Sequence, residues 1–340
     1  MLFDSSENLP PVVLTTIRTY RNTDTAAICK VWNAHYGDLG AECRLTPLQI
    51  ELATLAKPYF VADDLLVAEH DEQMVGFLHL SPVPNDDSSE VSTNEAAIAA
   101  LCCVPCDGEG AVAEALLARA EAMLVERRIA VCRFKPLLPK CAFYQGFGPA
   151  DSMIGATTSE RRGCRWLTAA GFTPAQATTQ WELDLSNYQP PIDRVQIQIR
   201  RSTRIERLPD EPMGPWWQAC WLGHTEASQY ELHHRSEQRL ICDAMFWTVA
   251  IELQTSPDTI AWLWPASIPT GEQGAEHLTF LLGEVCRQLQ SERLDLVRTA
   301  TAASDTRFNG ILRRLSFVAE QSGMVFEKRL AVREQRAPGS

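Results

Sequence analysis

Leu101-Cys102-Cys103-Val104-Pro105-Cys106-Asp107-Gly108-Glu109-Gly110-Ala111-Val112-Ala113-Glu114-Ala115-Leu116-Leu117 is the stretch that decides the fold. Its opening belongs to an apolar run, Ala97 to Val104, that reads as a buried strand. From about 111 to 127, Val112, Leu116, Leu117, Ala120 and Leu124 recur as one helical stripe with glutamates and arginines opposite. Small residues fill the space between. Such a turn leaves backbone N–H groups facing outward, with the positive end of the helix dipole behind them: a cradle for a phosphate or pyrophosphate. The plainer alternative is a strand–helix turn whose glycines only satisfy backbone geometry.

Working outward, Ile17 to Arg21 alternates like a strand, and Asn22-Thr23-Asp24 caps a helix carrying Ala27, Ile28, Val31 and Trp32. A second helix runs from Pro47 to Lys57. Leu65 to His70 and Met74 to Leu80 form a hairpin around Asp71-Glu72-Gln73, and 81–94 is a polar loop. Ala130 to Lys135 is a further strand, and Gln180 to Leu185 closes the series. The irregular 137–158 segment is long enough to border a site.

After Ser186 to Asp193, with Pro190 and Pro191, the order starts again. Val195 to Arg200 alternates as a strand, and Pro215 to Leu222 is helical. Tyr230 to Leu232, Leu240 to Ala250 and Thr259 to Trp264 are strands. A helix at 276–290 carries Leu278, Leu281, Leu282, Val285 and Leu289. Leu294 to Thr299, a helix at 305–315 and Val325 to Arg329 complete it. The repeat of pattern points to an internal duplication. It divides the chain into a lead-in (1–15), a first domain (16–186), a linker (187–193), a second domain (194–332) and a tail (333–340).

The balance of 31 Lys+Arg against 43 Asp+Glu, net −12, disfavours nucleic acid and anionic membrane surfaces as partners. No signal peptide opens the chain, and no apolar run approaches the ~18 residues of a membrane helix. Eleven cysteines without regular spacing suit reduced thiols in a cytoplasm better than a disulfide framework.

On these residues the sequence resembles the GCN5-related N-acetyltransferase superfamily, in two tandem copies. Gly108 to Ala113 fall on its Gln/Arg-x-x-Gly-x-Gly/Ala acetyl-CoA signature, and Leu116-Leu117 on its paired leucines. Val67-Ala68-Glu69, Val75-Gly76-Phe77, Ala170-Gly171-Phe172 and Trp181 to Leu185 match its other strands and its Gly-Phe. Gly108 replaces the usual Gln or Arg and Ala111 a glycine, but backbone donors survive both changes. In the second copy Gln273-Gly274-Ala275-Glu276-His277-Leu278 takes the signature's place. Glu276 there sets a carboxylate where the glycine belongs, and Leu315-Ser316-Phe317 replaces Leu-Gly-Phe. That copy reads as degenerate.

The resemblance implies an α/β (α+β) fold of two acyl-CoA N-acyltransferase-like domains, each a mixed, mostly antiparallel sheet flanked by helices. It implies acetyl-CoA as acyl donor, no metal, and transfer to a primary amine of a small molecule or peptide, by a monomer or homodimer. The donor site it implies is Leu101, Cys102, Cys103, Glu109, Gly110, Ala111, Val112, Ala113 and Glu114, with a backbone N–H polarising the thioester carbonyl.

The catalytic residues stay open. The family's acid tyrosine position reads Leu167 in the first copy and Leu312 in the second. Glu95 is a candidate base against the plainer reading of a solvated strand end, and Tyr144 a candidate acid against packing. Two other readings remain: a non-catalytic acyl-CoA-binding or interaction protein, and a redox protein using Cys103 and Cys106. The helix starts too late after that Cys-x-x-Cys to activate its first thiol.

Overall fold

The structure, a computed structural model, describes residues 15–39, 44–141, 143–147, 154–209, 217, 222–223, 225–250, 258–271 and 273–331. The lead-in, the tail and most of the expected 215–222 helix lie outside the described residues. The N-terminal half runs β1 (Thr16–Thr19), α1 (Thr25–Asp38), α2 (Pro47–Ile50), β2 (Leu65–His70), β3 (Gln73–Pro84), β4 (Val91–Cys103), α3 (Glu109–Glu126), β5 (Val131–Phe134), β6 (Ala156–Thr157), α4 (Arg161–Ala169) and β7 (Thr173–Asp184). The C-terminal half runs α5 (Arg194–Ser202), β8 (Thr203–Pro209), β9 (Thr225–His234), β10 (Leu240–Val249), β11 (Ile260–Leu263), α6 (Gly274–Ser291), β12 (Leu296–Ala302), α7 (Thr306–Arg314) and β13 (Val318–Arg329).

Local chemistry sets several of these starts. Asp24 accepts the Arg21 amide at 2.7 Å and Arg18 at 2.6 Å, while Arg18 also reaches Glu69, so one ion cluster pins β1, α1 and β2 together. Thr46 and Gln49 form a capping box at α2, with Pro47 in the first helical position. On α3, Val112, Leu116, Ala120 and Leu124 are buried as the stripe predicts. β3 and β4 each extend further than the sequence suggested, shortening the polar loop to 85–90.

Val195 to Arg200 is a helix, contrary to the strand expected from its alternation. Asp193 caps it by accepting the Gln196 amide at 2.9 Å. Only Ile199 of its three aliphatic residues is buried. Val195 and Ile197 are exposed, so the alternation marks no buried strand face.

All strands join one sheet in the order β1-β2-β3-β4-β5-β13-β7-β12-β11-β10-β9-β8, with β6 beside β13. Most pairs are antiparallel; β4–β5 and β11–β12 are parallel. The order is symmetric about its centre. β13, from the end of the chain, pairs with β5 of the N-terminal half, while β7 pairs with β12 of the C-terminal half. Each half therefore completes the other's sheet, and β7 and β13 pair antiparallel around Thr178 and Gly323. The exchange covers two edges that would otherwise stay open.

Three apolar clusters fill the faces. One lies under α3, one under α6, and a third spans both halves, bringing Trp32, Phe77 and Tyr144 together with Trp247 and Trp262.

Candidate active site

The parallel ladder between β4 and β5 ends at Ile98 and Phe134, with one last bond from the Lys135 amide to the Ile98 carbonyl at 2.9 Å. At the same level β4 carries a bulge. Ala100 pairs with His79 and Ile98 with Leu80, leaving Ala99 as the extra residue. Beyond it β4 runs on to Cys103 with β3 as its one strand partner among the described residues, so a slot opens between β4 and the chain leaving β5. The Val104 amide bonds to Val75 on β3. By the alternation of an antiparallel ladder, Leu101 and Cys103 turn their N–H and C=O groups into the slot.

The slot leads to the N-terminus of α3. Gly108 is the N-cap; the Ala111 and Val112 amides both return to its carbonyl, and the Glu109 amide bonds to Cys106. The amides of Asp107, Gly108 and Gly110 have no acceptor among the described residues, as the first turn of a helix leaves its donors. Val112 and Ala113 are buried and anchor the helix, while Ala111 and Glu114 are exposed. Glu109 is held at 2.7 Å by Arg162 of α4, which balances its charge at the cradle's edge. The nine predicted residues thus fall into two sets: Leu101, Cys102 and Cys103 along the slot, and Glu109 to Glu114 at its mouth.

Side chains from both faces enter the slot. His35 of α1 brings Nδ1 to 3.2 Å from the Cys103 carbonyl oxygen and 3.4 Å from its amide nitrogen. Its ring lies 6.1 Å from that of Trp166 on α4. Burial pulls the His35 imidazole down to about 4. At the apex Lys135 Nζ donates to Tyr36 Oη at 3.0 Å and to Glu160 Oε1 at 2.8 Å, and Glu160 Oε2 accepts the Thr157 amide at 2.8 Å. The sequence reading missed these four residues. Its only signals were a lysine ending an apolar strand and the long segment that brings Glu160 back.

The catalytic candidates named from sequence do not reach the slot as free groups. Glu95 loses solvation, yet Lys140 at 2.8 Å and Arg133 at 2.6 Å hold its carboxyl below the usual range, so it is a poor base. Tyr144 is buried in the core, bonded to His79 Nδ1 at 2.9 Å and stacked on Trp32 at 4.9 Å. Leu167 is fully buried. Cys103 is buried and its thiol is pushed far up by burial, which disfavours an activated thiolate there. Among the described residues no group of three or more His, Cys, Asp or Glu is placed to hold a metal, and no helix is long and apolar enough to cross a membrane.

In the C-terminal half α6 matches α3 in length and register, but among the described residues the space in front of it is filled. β11 stops at Leu263, the counterpart of Ile98, and Thr299 Oγ1 donates to the Leu263 carbonyl at 2.9 Å. Pro265 and Pro269 occupy the segment that matches Ala100 to Val104. The Pro269 carbonyl packs onto the first residue of α6 so closely that a Cβ on Gly274 would sit 2.0 Å from its oxygen. Glu276 does not face the helix end as a bare charge: it accepts Arg314 at 2.7 Å and Gln196 at 2.9 Å.

No protein-family model and no curated protein matches the sequence. Solved structures do. The chain is similar to a GCN5-related glucosamine N-acetyltransferase region of a fungal multi-domain GH3 β-N-acetylglucosaminidase (TM-score 0.69, 14% identity, 93% of this chain and 38% of that one). It is similar to a tandem GNAT protein from the clavulanic acid biosynthesis pathway (TM-score 0.63, 13% identity, 93% and 98%). It also resembles the N-myristoyltransferase of Saccharomyces cerevisiae solved with myristoyl-CoA and inhibitors (TM-score 0.55, 11% identity, 96% and 82%). The chain therefore spans little more than a third of the first of these. The likeness is one of fold: this chain has the tandem fold of the GCN5-related N-acetyltransferases.

Proposed function

We propose that the chain is an acyl-CoA-dependent N-acyltransferase that uses acetyl-CoA as donor and passes the acyl group to a primary amine, with the donor held in the N-terminal half alone. The observation that carries this reading is the asymmetry at the two matched helices. In front of α3 a bulged strand runs free of its neighbour and meets a set of outward amides; in front of α6 the same space is shut by Thr299 and Pro269. The pyrophosphate suits the Asp107, Gly108 and Gly110 amides, and the pantetheine arm suits the Leu101 and Cys103 backbone groups. His35 stands against Cys103 in that path, so the donor displaces it.

Calorimetric titration with acetyl-CoA tests this, beside an Ala111→Glu variant that sets bulk and negative charge over the exposed helix start. One site per chain, lost in the variant, is the expected result. Two sites would overturn the assignment to one half, and no binding would overturn the function. The buried Leu167 and the tied Glu95 favour a second reading, a non-catalytic acyl-CoA-binding protein. Binding without CoA release across a panel of amines would favour it.

A further inference from the structure

The two halves act as controls for each other at one more place. Lys135 is 1% exposed and Glu160 5%, and their ion pair crosses the slot's apex from the end of β5 to the start of α4, with Tyr36 of α1 bonded from the opposite face. The register that matches Ile98 to Leu263 matches Lys135 to Ala300, and the alignment of α4 with α7 matches Glu160 to Asp305. Ala300 continues β12, and Asp305 is an ordinary cap on the Phe308 amide. At the matching place in the C-terminal half the fold is thus built without an ion pair between these two positions. Removing two such charges from water is costly before their attraction is counted, so a pair that the architecture does not need calls for another reason. Lys135 also has a left-handed backbone, φ 43°, at a position its counterpart meets as plain strand.

Distance along β4 supplies that reason. A donor with its phosphates at Gly108–Gly110 and its arm along Cys103 and Leu101 comes, after four strand residues or about 13 Å, level with the bulge at Ala99. Lys135 is bonded through its amide to the adjoining Ile98. We infer that Lys135, clamped by Tyr36 and Glu160, receives the sulfur of the acyl donor as the thioester breaks, an assignment that rests on the acyl-CoA reading above. The amine nitrogen forms its bond to the acyl carbon, the C–S bond breaks, and the electron pair stays on sulfur. The ammonium pairs with this thiolate and passes it a proton. The proton shed by the amine goes to water, and Lys135 is recharged from solvent. Lys135 then does what the missing tyrosine at Leu167 cannot.

The groups facing this apex are His35 and Tyr36 from α1, Cys102 from β4, and Glu160, Arg162 and Cys164 from the α4 end. Burial keeps His35 uncharged above about 4 and pushes Tyr36, Cys102 and Cys164 upward, while Lys135 is paired with Glu160 and Arg162 with Glu109 and Asp38.

The test needs no acceptor. Free CoA is bound to the full-length protein, and its thiolate absorbance is titrated with pH against an acetyl-CoA blank that has no thiol. The thiol of bound CoA is expected to titrate at least about one unit lower than in free CoA, and Lys135→Met to cancel that shift with CoA still bound. The double variant Lys135→Met/Glu160→Gln, which leaves no lone buried charge, gives the same readout if the single variant does not fold. A bound thiol that titrates like free CoA, or a shift that survives in the variant, overturns the role of Lys135 while the donor site stands. Failure of CoA to bind the wild-type protein overturns the acyl-CoA reading, and this inference with it.

Discussion

α3 and α6 are helices of equal length, 18 residues each, capped by residues with nearly the same backbone angles, Gly108 at φ −98° and Gln273 at φ −97°. One starts in the open and the other against a proline carbonyl. The difference lies in the strand in front: β4 continues to Cys103 past its partner, whereas β11 ends at Leu263 and gives way to a segment with two prolines. A pseudo-symmetric frame can thus be kept intact while one of its two helix ends becomes a ligand cradle and the other becomes core. Among the described residues, most of the deeply buried titratable side chains lie on the side that stays open.

That bias yields the largest effect we expect. Burial pulls His35 to about 4 and His79 to about 3, both in the N-terminal half, and brings Lys57 down to about 7. In the C-terminal half the half-exposed His277 moves the same way, but it is not buried in a core. A histidine whose folded pKa is depressed contributes stability in full above its unfolded value, near 6.5, and loses it as pH falls towards the folded value. Between pH 6.5 and 5 each of the two should cost about 2 kcal/mol. Urea unfolding at pH 7 and pH 5 reads this loss, and His79→Phe should remove about half of it. A stability that stays flat to pH 5 would mean that these rings are reached by water, and would erase this contrast between the halves.

A smaller effect separates the helix starts themselves. Gly274→Ala places a methyl group against the Pro269 carbonyl and should destabilise by about 2–3 kcal/mol, the scale of overpacking against backbone. Gly110→Ala meets only Trp166 Nε1 at 3.8 Å, an ordinary contact, and should leave stability unchanged within about 1 kcal/mol. Thermal unfolding of the two variants side by side decides it. Equal losses would show that α3 starts in as closed a setting as α6.

What could be read from the sequence was what neighbours in the chain determine. The small residues from Cys106 to Ala113 and the stripe behind them specify a strand–turn–helix on their own, and Glu276 and Ser316 already marked the second copy as different. The exchange of β7 and β13 could not be read, because the strand's pattern is the same whichever sheet edge it joins. Val195, Ile197 and Ile199 fit a strand by period, and only the Asp193 cap tips them into a helix. Lys135 and Glu160 lie 25 residues apart on either side of an irregular segment, so no spacing rule joins them. Tyr36 comes from a third place, and a buried ion pair becomes visible as an anomaly only when its neutral counterpart, Ala300, is set beside it.

The smallest expected effect concerns His35, and it bears on whether the slot is a site or merely a gap that the fold has filled. The imidazole makes two contacts to Cys103, through one nitrogen, at 3.2 and 3.4 Å. A pantetheine amide laid along β4 would need those same backbone groups. Displacing the ring breaks one hydrogen bond to make another, and the net worth of one such bond is about 0.5–1.5 kcal/mol. His35→Ala removes that competition, so acetyl-CoA should bind roughly 3- to 10-fold more tightly, even though the fold loses some packing. Calorimetry on the wild type and the variant under the same buffer measures the ratio. Weaker binding in the variant would reverse the argument: His35 would then support the donor, and the slot of the N-terminal half would be a pre-formed pocket whose wall includes α1.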